Sequence, residues 1–158
     1  MTMTDWIAAD WGNTHLRIWV VTADGAVRAE RHADKGLSVL EPGAWEEVLV
    51  ETCDAFLPYD RVTEVLICGA AGSRGGWFEA PYRTVPCTPN GGHEAGLVPT
   101  SDPRISARIL PGVNQLDPPA VMRSEETQVA GFLAGNPDFD GVICLPGTHT
   151  KWVHVSAG

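Results

Sequence analysis

The residues from Asp10 to Arg17 have types and spacing suited to binding a phosphate group and a metal ion. Asp10 ends a short apolar run and is followed by a tight turn of Gly12, Asn13 and Thr14. A carboxylate at a strand end can hold Mg²⁺, and the amides and hydroxyl of such a turn can approach phosphate oxygens. Arg17 follows Asp10 by seven residues, so its guanidinium could reach a phosphoryl group during transfer. An ordinary surface hairpin can carry the same pattern.

A glycine-rich loop with polar and aromatic side chains follows further along the chain. In residues 72–77, Arg74 could pair with a carboxylate, Ser73 could bond a hydroxyl, and Trp77 offers an apolar platform. Tyr82 lies just beyond the loop, and we include it among the candidate contacts. These types suit a small polyhydroxylated acid. The alternative is a structural turn with a solvated arginine and a packed tryptophan.

Two adjacent carboxylates, Glu125 and Glu126, stand at the expected start of a helix. Acidic side chains in this position stabilise a helix through its dipole. The functional alternative is that one of them accepts a proton from a substrate hydroxyl. We take Glu125 as that base and Glu126 as a substrate contact, with the reverse assignment left open.

A second glycine and threonine turn lies near the end of the chain. Gly147, Thr148 and Thr150 resemble the first turn in composition. Their amides and hydroxyls could contact phosphate from the opposite side of a cleft.

The elements that would hold the first motif form an antiparallel meander. Residues 6–10 read as a strand, and residues 16–21 alternate between apolar and other side chains, as a strand does. Asp24 and Gly25 are a strong hairpin signal, so residues 26–32 should return as a third strand.

The other motifs sit at the ends of a strand and a helix. Helical spacing of apolar residues extends over 44–57 and stops at Pro58. Residues 65–68 are apolar and rich in β-formers, so they predict a buried strand that leads into the glycine-rich loop. In open α/β sheets, ligands bind at that end of such strands. Residues 105–110 predict a further short strand in a segment rich in proline and glycine.

The last third of the chain predicts one helix and one hairpin. A helix over 124–134 would use Ser124 as its N-cap and bury three apolar side chains, Val129, Phe132 and Leu133. Strands over 142–145 and 151–155 would flank the second turn. A turn-rich break at 136–141 is the best candidate for a domain boundary.

Composition narrows the class of protein. The 158 residues are 44% apolar and 20% charged, as in a globular domain, and the net charge of −9 argues against nucleic acid and anionic membrane as partners. The chain has no basic and apolar leader and no apolar run of about 18 residues, so we expect a cytoplasmic protein. The four cysteines lack metal-ligand spacing and predict buried free thiols.

The order of the four motifs resembles that of sugar kinases in the actin/hexokinase-like superfamily. The amino-acid sequence resembles that of the 2-dehydro-3-deoxygalactonokinase family in four stretches, namely residues 10–17, 71–82, 121–128 and 145–153. These stretches span most of the chain. The chain departs from the expected pattern at Asn13, where threonine is usual, and at Ser124, where glycine is expected.

The resemblance implies an α/β fold, with a ribonuclease H-like lobe built on a mixed five-stranded sheet in residues 1–135. Residues 136–158 would be the first hairpin of a second, nucleotide-binding lobe whose adenosine loop lies beyond them. It implies ATP and Mg²⁺ as cofactors and phosphorylation of 2-dehydro-3-deoxy-D-galactonate at its 6-hydroxyl. We expect this chain alone to lack catalytic turnover. Whether the protein forms a homodimer is left open. The alternatives are a kinase for another sugar or sugar acid and a non-catalytic sugar-acid sensor.

Overall fold

The central feature of the computed structural model, which describes residues 5–156, is a six-stranded mixed sheet. The strands, in chain order, are β1 (Trp6–Trp11), β2 (Leu16–Val21), β3 (Val27–Ala33), β4 (Thr63–Gly69), β5 (Tyr82–Thr84), β6 (Gly96–Val98), β7 (Ile105–Ile109), β8 (Gly112–Gln115), β9 (Ala120–Met122), β10 (Gly141–Leu145) and β11 (Lys151–Val155). The helices are α1 (Trp45–Cys53) and α2 (Glu125–Gly135). Residues 1–4, part of the segment where we expect no leader, and residues 157–158 lie outside the described residues.

The six strands follow the order β3-β2-β1-β4-β7-β6. β1, β2 and β3 form the predicted antiparallel meander, and Gly25 makes its turn with φ of 87°. β4 lies parallel to both β1 and β7, while β6 is antiparallel to β7. The sheet is therefore mixed, as predicted, but the prediction of five strands was wrong, because β6 adds a sixth at the edge.

Helix α1 covers one face of this sheet. Its buried residues Trp45 and Leu49 pack with Ile7, Trp11 and other strand residues in one core cluster. The helix is shorter than the predicted 44–57, because a 3₁₀ turn, Asp54–Phe56, follows it. The residue before Pro58 is pushed out of the helical region by the proline ring, and Leu57 is accordingly extended.

A smaller sheet carries the start of α2. β8 pairs in parallel with β5 and antiparallel with β9, and the chain passes from β9 through residues 123 and 124 into α2. Val129 is buried as predicted, but Phe132 is 42% exposed. Its ring packs edgewise on Phe139, 5.1 Å away, rather than in the core. β10 and β11 form the predicted hairpin, a separate two-stranded sheet.

The cysteines divide into two classes. Cys53 and Cys68 are buried, and Cys87 and Cys144 are exposed, so the prediction of burial was wrong for the second pair. All four are free thiols. Neither helix within residues 5–156 combines the length and the apolar character needed to cross a membrane.

Candidate functional site

Asp10 lies near the C-terminal end of β1, on the sheet face opposite α1. Its neighbours Ala9 and Trp11 point into the core, while its register partners Arg17 on β2 and Cys68 on β4 share its own face. Gly69 follows with φ of 100°, and a Cβ there would stand 2.6 Å from the Trp11 carbonyl oxygen and 3.3 Å from Asp10 Oδ1. The chain can turn beside the carboxylate because this position has no side chain.

Ser124 connects the start of α2 to Asp10. Its hydroxyl donates to Asp10 Oδ1 at 3.0 Å, and the Cys68 sulfur lies 3.6 Å from the same hydroxyl and 3.8 Å from Asp10 Oδ1. Ser124 occupies the N-cap position of α2, as predicted, but its hydroxyl is directed to Asp10 and makes no cap hydrogen bond. Ser124 holds φ of 110°, which a non-glycine residue rarely adopts.

The carboxylate of Glu126 is the buried acid of this cluster, with the residue only 3% exposed. Both of its oxygens accept from the Ser124 amide, at 3.0 and 2.9 Å, and Oε1 also accepts from the Thr127 hydroxyl at 3.2 Å. Burial raises the pKa of Glu126, and these hydrogen bonds oppose the rise. The same burial, with Asp10 nearby, raises the pKa of the Cys68 thiol to about 12.

Glu125 is half-buried and has fewer partners. Its Oε2 accepts from the Arg123 amide at 2.9 Å, and within residues 5–156 this is the one hydrogen bond of its side chain. Both glutamates thus turn back onto amides that precede the helix, an arrangement that the positive end of the helix dipole favours. Glu125 has one oxygen free of these contacts, whereas both oxygens of Glu126 are engaged.

The glycine-rich loop is held in shape by its own hydrogen bonds. The Ser73 hydroxyl donates to the Ala70 carbonyl at 2.7 Å, and the Ala80 amide donates to the Gly72 carbonyl at 3.0 Å. Arg74 is exposed and takes part in no ion pair of residues 5–156. The loop presents Arg74 to solvent on a closed turn, consistent with either the carboxylate-binding or the structural interpretation.

The two aromatic residues predicted as substrate contacts both have protein partners. Trp77 is partly buried against the core, and the centre of its ring lies 6.1 Å from that of Trp11 in an edge-to-face arrangement. Tyr82, the first residue of β5, lies under the guanidinium of Arg123 at 4.4 Å. Arg123 was not singled out from the sequence, although an arginine beside two acids at a helix start was a signal that could have done so.

The first turn is braced from the side by residues 36–38. The Gly36 amide donates to the Thr14 carbonyl at 3.0 Å, and the amide and hydroxyl of Ser38 donate to the Asn13 carbonyl at 2.9 and 2.8 Å. Within the turn, the Gly12 amide donates to the carbonyl of His15 at 2.9 Å. Asn13 and Thr14 are exposed and available to a ligand.

The second turn is held by contacts of its own. Gly147 and Thr150 contact each other at 3.3 to 3.4 Å, and no hydrogen bond or ion pair within residues 5–156 joins the two turns. Thr148 is exposed. A groove of about 940 Å³ separates the β10–β11 hairpin from α2, and of the predicted site residues it is lined by Glu126 and Thr150. The predicted phosphate clamp stays a prediction.

A magnesium ion would have one protein carboxylate available from the first motif. No group of three or more His, Cys, Asp or Glu side chains within residues 5–156 is arranged to enclose a metal. Mg²⁺ in phosphate-transfer sites is commonly held by one or two carboxylates together with water and substrate phosphates. Asp10, with Oδ1 bonded to Ser124, fits that kind of site.

Comparison with known proteins gives consistent matches. A family model described as 2-keto-3-deoxy-galactonokinase matches residues 10–158. A Rhizobium meliloti (strain 1021) protein assigned as 2-dehydro-3-deoxygalactonokinase DgoK1 is 38% identical over 165 aligned positions, which cover 99% of this chain and 51% of the relative. The 2-dehydro-3-deoxygalactonokinase of Escherichia coli (strain K12) is 35% identical over 155 positions, covering 96% and 50%.

A solved structure agrees with these matches. A Sinorhizobium meliloti protein assigned as a 2-dehydro-3-deoxygalactonokinase superposes with a TM-score of 0.83 at 36% identity, over 96% of this chain and 49% of that one. The chain spans about half the length of the relatives it matches.

The class that the fold and these matches define is that of the carbohydrate kinases. The chain belongs to the 2-keto-3-deoxy-galactonokinase family. This confirms the resemblance inferred from the four motifs.

Proposed function

We propose that this chain supplies the sugar-acid and metal half of a kinase that uses ATP to phosphorylate 2-dehydro-3-deoxy-D-galactonate at its 6-hydroxyl. The observation that carries the proposal is the meeting of Asp10 with the start of α2, through the 3.0 Å hydrogen bond from Ser124. This hydrogen bond joins Asp10, the proposed metal ligand, to the helix start that bears the two candidate bases, beside the glycine-rich loop. The relatives are named as 2-dehydro-3-deoxygalactonokinases, and this supports the choice of substrate.

In the proposed reaction, the 6-hydroxyl oxygen attacks the γ-phosphorus of ATP and the bond from that phosphorus to the leaving ADP oxygen breaks. The hydroxyl proton passes to Glu125, whose Oε1 is free while Oε2 is held by the Arg123 amide. Asp10 would hold Mg²⁺, which would supply positive charge to the phosphate oxygens. Arg17, exposed on the strand beside Asp10, contacts the transferring phosphoryl group.

Nucleotide phosphates and the sugar acid would occupy different parts of this region. The turns at Gly12–Asn13–Thr14 and Gly147–Thr148–Thr150 bind phosphate oxygens. Arg74 pairs with the substrate carboxylate, and Ser73 contributes a hydroxyl contact. Trp77 and Tyr82 support the sugar-acid site through their packing on other protein groups, Trp77 on Trp11 and Tyr82 on Arg123. Residues 1–135 form the sugar-binding lobe, and 136–158 begin the nucleotide-binding lobe.

The substrate assignment is tested on the full-length gene product with a panel of sugars and sugar acids in a coupled ADP-release assay. We expect the 2-dehydro-3-deoxy sugar acid to have the highest kcat/KM. Arg74→Ala should raise KM for the sugar acid by about tenfold to a hundredfold, the value of a charge-assisted pair, with KM for ATP unchanged. The matched control is Arg61→Ala, because Arg61 is also exposed but precedes the start of β4, whereas Arg74 follows its end. Equal loss for both substrates would remove the carboxylate role of Arg74.

The choice of base is tested by two neighbouring substitutions. Glu125→Gln should lower kcat by about a hundredfold or more, in the range expected for removal of a general base, with little change in KM. Glu126→Gln should affect stability more than kcat, because its carboxylate is buried and bonded to main-chain amides. The reverse result would exchange the two roles.

A non-catalytic sugar-acid sensor is the candidate function from a different class. It could use the same loop without phosphate transfer. The presence of both Asp10 and Glu125 favours the kinase, since a sensor needs neither a metal ligand nor a base. If Asp10→Ala abolishes turnover and leaves sugar-acid binding, the kinase holds; if Asp10→Ala leaves all biological activity intact, the sensor is correct.

A further inference from the structure

Arg123 is a shielded arginine that has no carboxylate partner in the part of the chain that the structure describes. Its Nη2 donates to the Ala80 carbonyl at 2.8 Å, while Nε and Nη1 are closed off from solvent and have no hydrogen-bond partner among the described residues. None of the ion pairs within residues 5–156 involves it. A shielded charge with unused donors is costly. The fold keeps this side chain in place although it does not satisfy it.

The guanidinium touches both ends of the glycine-rich loop. It stacks over the Tyr82 ring at 4.4 Å and bonds the carbonyl of Ala80, where the loop ends. On its other side is Gly72, where the loop begins, because a Cβ placed on that glycine would stand 2.8 Å from Arg123 Nη1. The planar group therefore fills the space between the ring and the loop backbone.

The backbone of the same residue holds the candidate base. The Arg123 amide donates to Glu125 Oε2 at 2.9 Å, and the next residue, Ser124, bonds Asp10 and Glu126. One residue thus connects the loop that bears Ser73 and Arg74 with the helix start that bears both glutamates. A lysine could not reproduce this, since it lacks the planar fork that stacks on an aromatic ring while bonding a carbonyl.

We propose that Arg123 is a positioning residue, which fixes the glycine-rich loop relative to Glu125 so that the bound sugar acid presents its hydroxyl to the base. The inference rests on the proposed kinase function for its catalytic consequence. Its structural part, the attachment of the loop to the helix start, does not. Displacing reacting groups by about 1 Å can cost about a hundredfold in rate.

The experiment uses Arg123→Met and Arg123→Lys in the full-length gene product, with Arg31→Met as the matched control. Arg31 on β3 makes the same two kinds of contact, with its guanidinium 5.1 Å from the centre of the Phe56 ring and Nη1 bonded to the Glu30 carbonyl at 2.7 Å. Two readouts are followed, the steady-state constants for each substrate and amide hydrogen exchange of residues 72–80 without substrate.

Both Arg123 variants should lower kcat/KM for the sugar acid by about tenfold to a hundredfold and leave KM for ATP within about twofold. Exchange in residues 72–80 should become about tenfold faster or more, because local opening is no longer opposed by the arginine. Tyr82→Leu, which removes only the ring, should accelerate exchange in the same residues. Arg31→Met should change neither readout.

Wild-type exchange in residues 72–80 of Arg123→Met would overturn the proposal, as would wild-type kinetics of Arg123→Lys. If Arg123→Met does not fold, Tyr82→Leu and Arg123→Lys decide by the same exchange readout. The two hypotheses fail separately: a wild-type protein without activity on the sugar acid refutes the kinase function, while the exchange measurement still tests the attachment of the loop.

Discussion

At Ser124 we expect replacement by glycine to give a more stable protein than replacement by alanine, the opposite of the order at an ordinary serine. Ser124 holds φ of 110° and donates its hydroxyl to Asp10 Oδ1 at 3.0 Å. Alanine removes the hydrogen bond and keeps the unfavourable backbone. Glycine removes the same hydrogen bond and also relieves the backbone. A comparison of the two variants therefore isolates the strain from the side-chain contact.

The magnitudes favour glycine over alanine. A hydrogen bond to a charged group contributes about 1.5–3 kcal/mol, and both variants lose it. Holding a non-glycine residue in this region costs about 1–3 kcal/mol, which glycine recovers. Glycine loses about 0.5–1 kcal/mol through its greater freedom in the unfolded chain. We expect Ser124→Gly to exceed Ser124→Ala in unfolding free energy by about 1 kcal/mol.

The assay is urea unfolding at fixed pH, followed by tryptophan fluorescence. Ser73 is the matched control, because its hydroxyl also bonds a neighbouring group, at 2.7 Å, while its φ is an ordinary −81°. There the order should reverse, with Ser73→Gly less stable than Ser73→Ala by about 0.5–1 kcal/mol. If Ser124→Ala is as stable as Ser124→Gly, or if both positions show the same order, the strain at Ser124 is not real.

Three further predictions concern burial and close packing. Burial raises the pKa of Glu126 above its ordinary value of 4.5, so the folded state keeps this proton to a higher pH than the unfolded state does. The free energy of unfolding should therefore fall as the pH rises from about 4.5. In urea titrations between about pH 4.5 and 7.5, Glu126→Gln should lack this decline. A thiol reagent should modify Cys87 and Cys144 rapidly in the folded protein, and Cys68 slowly, because burial raises the pKa of the Cys68 thiol to about 12. Gly36→Ala should lower unfolding free energy by about 1–3 kcal/mol or more, because its Cβ would stand 2.3 Å from the backbone of the first turn.

Each of these predictions has its own control and a result that contradicts it. For Glu126, a decline with pH that survives in Glu126→Gln would assign the decline to another group. Full modification in urea should give four thiols, so more than two fast thiols in the folded state would contradict the assigned burial. Gly131→Ala, where a Cβ meets nothing within 4 Å, should be neutral or stabilising, and equal loss at both glycines would remove the packing explanation.

The elements with strong periodicity could be predicted from the sequence. The alternation of residues 16–21 and the turn at Asp24 and Gly25 act locally, so β2 and the meander follow from them. Helix α1 follows from its apolar stripe, whereas its end at Cys53 and the 3₁₀ turn before Pro58 were not predicted. The strand β6 and the small β5-β8-β9 sheet were missed, since three- or four-residue strands in a segment rich in proline and glycine have no usable period.

The candidate site could be predicted only as a set of motifs. Their order along the chain indicated that Asp10 and the two glutamates belong together, and the sheet topology brings the start of α2 to Asp10. The contacts themselves were out of reach, because Ser124 bonds a residue 114 positions away. Its residue type suggested a helix cap, which is the usual local use of serine, and a partner from another element competed successfully for the hydroxyl.

Two unfavourable features fall on adjacent residues at this site. Arg123 has a shielded guanidinium with no counter-ion in residues 5–156, and Ser124 has a backbone conformation that suits glycine. If the segment only linked β9 to α2, an apolar residue at position 123 and a glycine at position 124 would avoid both features. Together they hold the glycine-rich loop, Asp10 and both glutamates to one short segment. Strain and unsatisfied charge persist where surrounding contacts impose them. Here those contacts converge on the groups to which we assign metal binding and proton transfer, which makes residues 123 and 124 the most informative positions for mutation.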